Sequence, residues 1–321
     1  MGVWRLLVAS FAMGIVATAA GGQDYPTKPI TLVNPYAAGG PADLLARTIA
    51  TGMGDLLGQQ IVILNKPGGA TAIGAQYVAG SPPDGYTLLI AGASSHIVTP
   101  ALSKLTYDGI KDFAPVAMVA NVPNVLVVRA SLPVKNVQEL IALAKSKPGT
   151  LNYGSVGNGS QPHLAAEMFK QMAGVDFTHL PYKGAAPAIT DLLGEQIDLA
   201  FLNAPPLLQH IQSGKLRALA VTTMKRARQL PDVPTLNELG LTGFDISTWY
   251  GISAPAATPK PIVEKLTTVL SKVLTTPDVT SKLTSQGNEI FLLPGKEFSD
   301  YLQEDAARLT KLIKSANIKE E

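Results

Sequence analysis

Apolar positions along the chain alternate between two spacings. The β-branched run Ile30-Thr31-Leu32-Val33 stops at Asn34-Pro35, as a short strand entering a turn does. Over 43–57, Leu44, Ile49 and Leu56 are among the apolar positions of a helical pattern, with Gly58 just past its end. Residues 60–64 predict a second strand, followed by Asn65-Lys66-Pro67-Gly68-Gly69; 72–79 predict a helix and 87–91 a third strand. Strand–helix alternation at this spacing builds a parallel sheet with helices on its faces. Val125 to Val128 make a further strand, after which the pattern restarts with a helix over 137–146, a strand near 151–153 and a helix over 161–173. A helix over 187–193 and strands over 197–201 and 216–221 follow; 262–275 and 297–315 read as long amphipathic closing helices. Two α/β units of this kind leave a cleft, and ligands of open α/β sheets sit outside the carboxyl ends of the strands.

The segment ahead of this body has a different pattern. Arg5 precedes an apolar run over 6–17, followed by the small residues Ala17, Thr18, Ala19, Ala20, Gly21 and Gly22. That is the layout of a secretory signal. The run is shorter than the roughly 20 residues of a membrane span; an uncleaved N-terminal anchor is the alternative reading. The expectation is a signal peptide over 1–22 and an exported protein, periplasmic if the source is Gram-negative.

Length and composition narrow the functional classes. At about 150 residues per domain, 321 residues suggest two domains. With 46% hydrophobic and 16% charged residues the chain can build a core, which excludes a disordered protein. A net charge of +2 supplies no basic excess for nucleic acid or anionic lipid. The absence of cysteine excludes disulfides, thiolate metal sites and a cysteine nucleophile.

The loops that follow strands suit an anion. Asn34 to Asp43 carries paired glycines and opens onto a helix, whose N–H groups and dipole favour negative charge. The competing reading is a plain strand-to-helix turn, with Asp43 capping the helix and pairing with Arg47. The second loop, Tyr153-Gly154-Ser155-Val156-Gly157-Asn158-Gly159-Ser160, leads into Gln161-Pro162-His163, with Ser160 suited to the N-cap. It lacks the Gly-Lys-Ser/Thr of a phosphate loop and the spacing of a dinucleotide fingerprint. A glycine-rich turn with a well-capped helix is its plain alternative. In the third loop, 181–187, Lys183 faces either ligand or solvent. A second pole of the pocket is expected from Ser94, Ser95, His96, Asn203 and Trp249.

Catalytic signatures are missing from the sequence. His163 and Glu167 stand four apart on one helix, but no third metal ligand accompanies them, and there is no Gly-x-Ser-x-Gly elbow. No catalytic residue, metal or cofactor is expected. An exported transferase or lyase acting on a small carboxylate is the alternative, with Lys183, His96 and His163 its only candidate groups.

Taken in order, several motifs resemble the substrate-binding proteins of tripartite tricarboxylate transporters, the Bug family. They are Tyr25-Pro26-x-Lys28-Pro29-Ile30, Pro35-Tyr36-Ala37-Ala38-Gly39-Gly40-x-x-Asp43, Asn65-Lys66-Pro67-Gly68-Gly69 and Ser81-Pro82-Pro83-Asp84-Gly85-Tyr86-Thr87. Asn152-Tyr153-Gly154-Ser155, Gly157-x-Gly159-Ser160-x-x-His163-Leu164 and Pro181-Tyr182-Lys183-Gly184 complete the set. The resemblance implies a two-lobe periplasmic-binding-protein fold of type II, each lobe a mainly parallel sheet flanked by helices. Lobe 1 would span 24–125 plus 249–321 and lobe 2 would span 126–248. It also implies a monomeric receptor that closes on a small carboxylate, di- or tricarboxylate or aromatic acid, and delivers it to the transporter's membrane subunits. The ligand carboxylate would meet Ser155, Gly157, Asn158, Gly159 and Ser160, with ordered water bridging to Tyr36, Ala38 and Gly39.

Overall fold

The computed structural model describes residues 25–319. The expected signal peptide lies outside the described residues. In chain order the elements are β1 (Ile30–Asn34), α1 (Pro41–Leu57), β2 (Ile61–Asn65), α2 (Ala72–Ala79), β3 (Thr87–Ala91), α3 (Thr99–Leu102) and β4 (Phe113–Arg129). They continue with α4 (Val137–Ser146), β5 (Asn152–Ser155), α5 (Gln161–Ala173), β6 (Thr178–Pro181), α6 (Ala185–Leu193), β7 (Leu199–Asn203), α7 (Leu208–Gln212) and β8 (Leu216–Val221). The chain then returns through β9 (Ser247–Pro255), α8 (Lys260–Thr275), α9 (Pro277–Ser285), β10 (Glu289–Pro294) and α10 (Gly295–Ser315).

Local chemistry accounts for these boundaries. Pro41 enters α1 at its first turn, where no N–H is needed, and Gly58 ends it in the left-handed conformation with its N–H on the Gly54 carbonyl. Leu45, Ile49 and Met53, four apart, bury the inner face of that helix. On α5, Ser160 is the N-cap and Gly174 the left-handed C-cap.

The α/β architecture expected from the alternation is present, and the strands nearest the edges pair in parallel. β1 lies between β2 and β3, and β5 lies between β6 and β7. The middle of the sheet is antiparallel instead, because β4 and β9 cross it in opposite directions. The sequence places only the last part of β4, and the reason is Pro115 and Pro123. Proline cannot donate to a ladder and normally argues against an inner strand. Here Pro115 stands beside a register shift, and Pro123 stands where β4 changes partners. Up to Pro123 it pairs with β9 and β10; from Asn124 onward it pairs with β7 and β8.

That exchange divides the sheet into two halves. One buried cluster joins β1, α1, β9 and α8, and another joins β7, β8 and α6. A third runs across the divide: Trp249 of β9, Phe298 and Leu309 of α10, and Leu164 and Phe169 of α5 pack together. α10 therefore starts over β4 and β9 and ends on α5, where Ser315 exchanges hydrogen bonds with Gln171.

Candidate functional site

The carboxyl ends of β1, β2, β3 and β5 converge on one short segment, residues 92–102. Ser94–Val98 is a turn of π-helix that runs directly into α3. Such turns are rare and recur at functional sites. Three loops touch this segment. Tyr36 of the first loop lays its hydroxyl over Gly92, where a Cβ would stand 2.5 Å from it, and meets the Ser94 side chain. Ala70, after β2, accepts a hydrogen bond from the Thr99 hydroxyl at 2.7 Å. Gly159, after β5, approaches so closely that a Cβ would lie 3.1 Å from both Val98 and Leu102. Its φ of +68° also excludes most side chains.

The first loop carries its own anion. The buried Asp43 carboxylate accepts the Gly39 N–H at 3.0 Å, the Arg47 Nε at 2.9 Å and the Asn65 Nδ2 at 2.9 Å. Burial alone would raise its pKa, but these donors outweigh that effect and hold it at about 2. This corrects one expectation: Gly39 spends its N–H on Asp43, so Tyr36 and the exposed Ala38 are what this loop offers a ligand. The Tyr36 phenol stays neutral, since burial and the neighbouring Tyr250 push its pKa far above the ordinary value.

The second loop carries no acid. Ser155 accepts the Gly157 N–H at 3.2 Å and contacts His179 Nε2 at 2.7 Å. Ser160 donates to the Gly157 carbonyl at 2.7 Å and accepts the His163 N–H at 3.3 Å. The Gly159 N–H goes to His163 Nδ1 at 3.0 Å. Gln161, the first helical residue, has no intrahelical acceptor for its N–H. Its side-chain Nε2 is also buried without a partner. Buried donors are nearly always satisfied, which makes this one a candidate ligand contact. The sequence reading missed Gln161; its place at the first position of a capped helix was the available signal.

The turn after β2 was missed as well. Gly68, Gly69, Ala70 and Thr71 all have positive φ, with Thr71 at +82° and its buried hydroxyl unpartnered. A β-branched residue in that conformation is strained, and such strain concentrates at ligand clamps.

Several expected residues lie elsewhere. His96 is buried, with Nδ1 on the Ser95 hydroxyl at 3.0 Å and Nε2 on the Ser253 hydroxyl at 3.1 Å, and its ring lies on Phe113. Both nitrogens are occupied, and burial lowers its pKa to about 3, so the ring is a neutral core residue. Ser95 is equally buried and bonds to Gly92. The Trp249 indole also belongs to the core and donates to Asp305 at 3.1 Å. Asn203 bonds to Asn124 and Thr248 where the chain crosses between the half-sheets. Lys183 is exposed in the loop just ahead of α6. Asn158, exposed, lies at a surface cavity of about 370 Å³ together with His163, Glu167, Lys170 and residues 316–319. Of the expected second pole, Ser94, Ser95 and His96 all lie in the shared segment, but only Ser94 presents its side chain to Tyr36.

Comparison with known proteins adds to this geometry. The family model of the tripartite tricarboxylate transporter family receptor matches residues 45–318. A solved structure of Rpa4515 of R. palustris with adipate is 39% identical, with a TM-score of 0.79, covering 92% of this chain and 99% of that one. The periplasmic binding protein BugD is 35% identical, with a TM-score of 0.76, covering 92% of this chain and 100% of its own. MatC from Rhodopseudomonas palustris with bound malate is 33% identical, with a TM-score of 0.73 and coverages of 90% and 100%.

Proposed function

This chain belongs to the tripartite tricarboxylate transporter receptor family, and from that premise we propose that it captures a small carboxylate, an aliphatic dicarboxylate above all, in the periplasm and hands it to the membrane subunits of such a transporter. One observation carries the reading: the N-terminus of α5 holds a buried, unpartnered amide donor and no acidic side chain. A helix N-terminus with free donors and a positive dipole end suits a carboxylate. Relatives that hold adipate and malate support an aliphatic diacid.

In this account the ligand lies between 24–125 plus 249–321 and 126–248, which act as two lobes. They hinge where β4 changes partners and where Asn203 joins Asn124 to Thr248. The last turns of α10, which rest on α5, ride with the second lobe. A carboxylate that draws the Ser155 and Ser160 hydroxyl protons away from the Gly157 carbonyl, and takes the Gln161 donors, gains charge-assisted bonds of roughly 1.5–3 kcal/mol each, plus about 0.3–2 kcal/mol from the helix dipole. Micromolar affinity requires about 8 kcal/mol, which several such bonds supply after ordering costs. Tyr36 and Ser94 close the site from the first lobe, and contacts made only in the closed state shift the equilibrium toward it. Neutral donors suit a carrier, because the cargo must also leave.

A thermal melt of the purified protein against malate, adipate and aromatic acids tests this. At 100 times its Kd a ligand adds about 2.7 kcal/mol and raises Tm by several degrees. A shift with an aliphatic diacid, recovered unchanged, supports the reading. Flat melts across the panel overturn it, and a chemically altered acid points to an enzyme.

A further inference from the structure

Behind the second loop, two imidazoles make contacts that ligand capture as described leaves unexplained. His163 on α5 and His179 on β6 stack at 4.1 Å between ring centres, and Tyr153 of β5 stacks on His179 at 4.7 Å. Each imidazole bonds to one residue of the loop in front: His163 Nδ1 to the Gly159 N–H, and His179 Nε2 to the Ser155 hydroxyl. The charged and titratable groups around the pair are Glu167 and Lys170 on α5, Asp176 on the turn before β6, the Tyr153 hydroxyl, and Lys319 across the small cavity.

We propose that His163 and His179 are positioning residues for the carboxylate site, one acting as acceptor and the other as donor. The inference rests on the functional reading above. With Nδ1 taking the Gly159 N–H, the His163 proton sits on Nε2, facing Glu167 Oε1 at 4.0 Å. This bond holds Gly159 in its left-handed turn, and so sets Ser160 and Gln161 at the head of α5. Ser155 has one hydroxyl proton. It already accepts from the Gly157 N–H, and when it also accepts from His179 Nε2–H its own proton, which now makes a long 3.3 Å bond to the Gly157 carbonyl, can turn to a carboxylate oxygen. The stack fixes both rings, and its buried position keeps both neutral near pH 7. Burial first, then Lys170, lowers His163 to about 4; burial and His163 lower His179 to about 4.

The test titrates malate and adipate into the wild type and four variants by calorimetry. His163→Leu and His179→Leu should each weaken binding about tenfold or more. His163→Asn keeps an acceptor near the Nδ1 place and His179→Gln keeps a donor near the Nε2 place, so both should return to within about threefold of wild type. Protonating His163 at Nδ1 opposes the Gly159 N–H, so the wild-type affinity relative to His163→Asn should hold above about pH 6 and fall below about pH 5. Nitrogen NMR of the free protein should find both rings protonated on Nε2. Leucine variants that bind like wild type, Asn and Gln variants as weak as the leucines, or the opposite tautomers would each overturn the proposal. A wild type that binds no carboxylate overturns the functional reading instead. The tautomers, read without ligand, then still decide whether the rings set the loop, as they do if a leucine variant does not fold.

Discussion

The loops after β1 and after β5 look alike in sequence, each a glycine-rich passage from a strand into a helix, yet the structure uses them in opposite ways. In the first, Asp43 supplies a carboxylate from within the chain and locks it with Gly39, Arg47 and Asn65. In the second, neither the loop nor the first turn of α5 carries an acid, and two imidazoles bond to the loop from behind. A helix N-terminus favours an anion in either case; what differs is whether that anion is built in or brought by a ligand. On the proposed reading the first loop is a rigid wall and the second the ligand site.

The sharpest way to break this contrast is to give the second loop its own anion. Ser160→Asp keeps a good N-cap but places a carboxylate where the ligand's would lie. Calorimetry should show affinity for malate and adipate falling by about 100-fold or more, roughly 2.7 kcal/mol, with Tm little changed. Retained affinity would mean that the ligand lies elsewhere. The converse change, Asp43→Asn, strips the first loop of its charge and leaves Arg47 unpaired. Denaturant titration should show a loss of about 2 kcal/mol of stability, while affinity falls less than tenfold.

Acid separates the two loops by a smaller margin. His96, His163 and His179 are neutral when folded, with pKa values of about 3, 4 and 4 against an ordinary 6.5. The unfolded chain therefore binds more protons as pH falls from about 6.5 to about 4, and stability declines through that window. Asp43, held at about 2 against an ordinary 3.8, keeps its full contribution above about pH 4 and loses it only below. Tm followed from pH 7 to pH 4 should drop, and the drop should be smaller in His163→Asn; a level profile would contradict the neutral stack. The smallest effect belongs to Lys183→Ala. That side chain is exposed, and its loss should change affinity by less than about twofold, because a solvated charge contributes little.

The parts of the fold that were legible are those whose signal is local. The helices over 137–146 and 161–173 and the strands over 87–91 and 216–221 coincide with α4, α5, β3 and β8, because capping and apolar spacing act within a few residues. β9 and the first part of β4 were not, since Gly251 interrupts one and two prolines the other, and their strand character comes from neighbours distant in sequence. The site shows the same division. Ser155 and Ser160 were visible as loop residues before a capped helix. That His96 and Trp249 face the core, and that His179 reaches Ser155 from a different strand, depends on the direction each side chain takes in the assembled sheet. Asp43 was correctly weighed as a partner of Arg47, since that pairing lies within one helical turn, but it does not cap α1: the N-cap is Gly40, without a side-chain bond, and Asp43 accepts the Gly39 N–H instead.

A crystal structure with a bound aliphatic diacid tests the central claim most directly. One ligand carboxylate is expected at about 2.7–3.1 Å from the Ser155 and Ser160 hydroxyls, turned from the Gly157 carbonyl, and from the Gln161 donors, with Asp43 still paired to Arg47 and Gly39. A carboxylate seated at Gly39 with Asp43 turned away, or one that leaves the head of α5 empty, would contradict it.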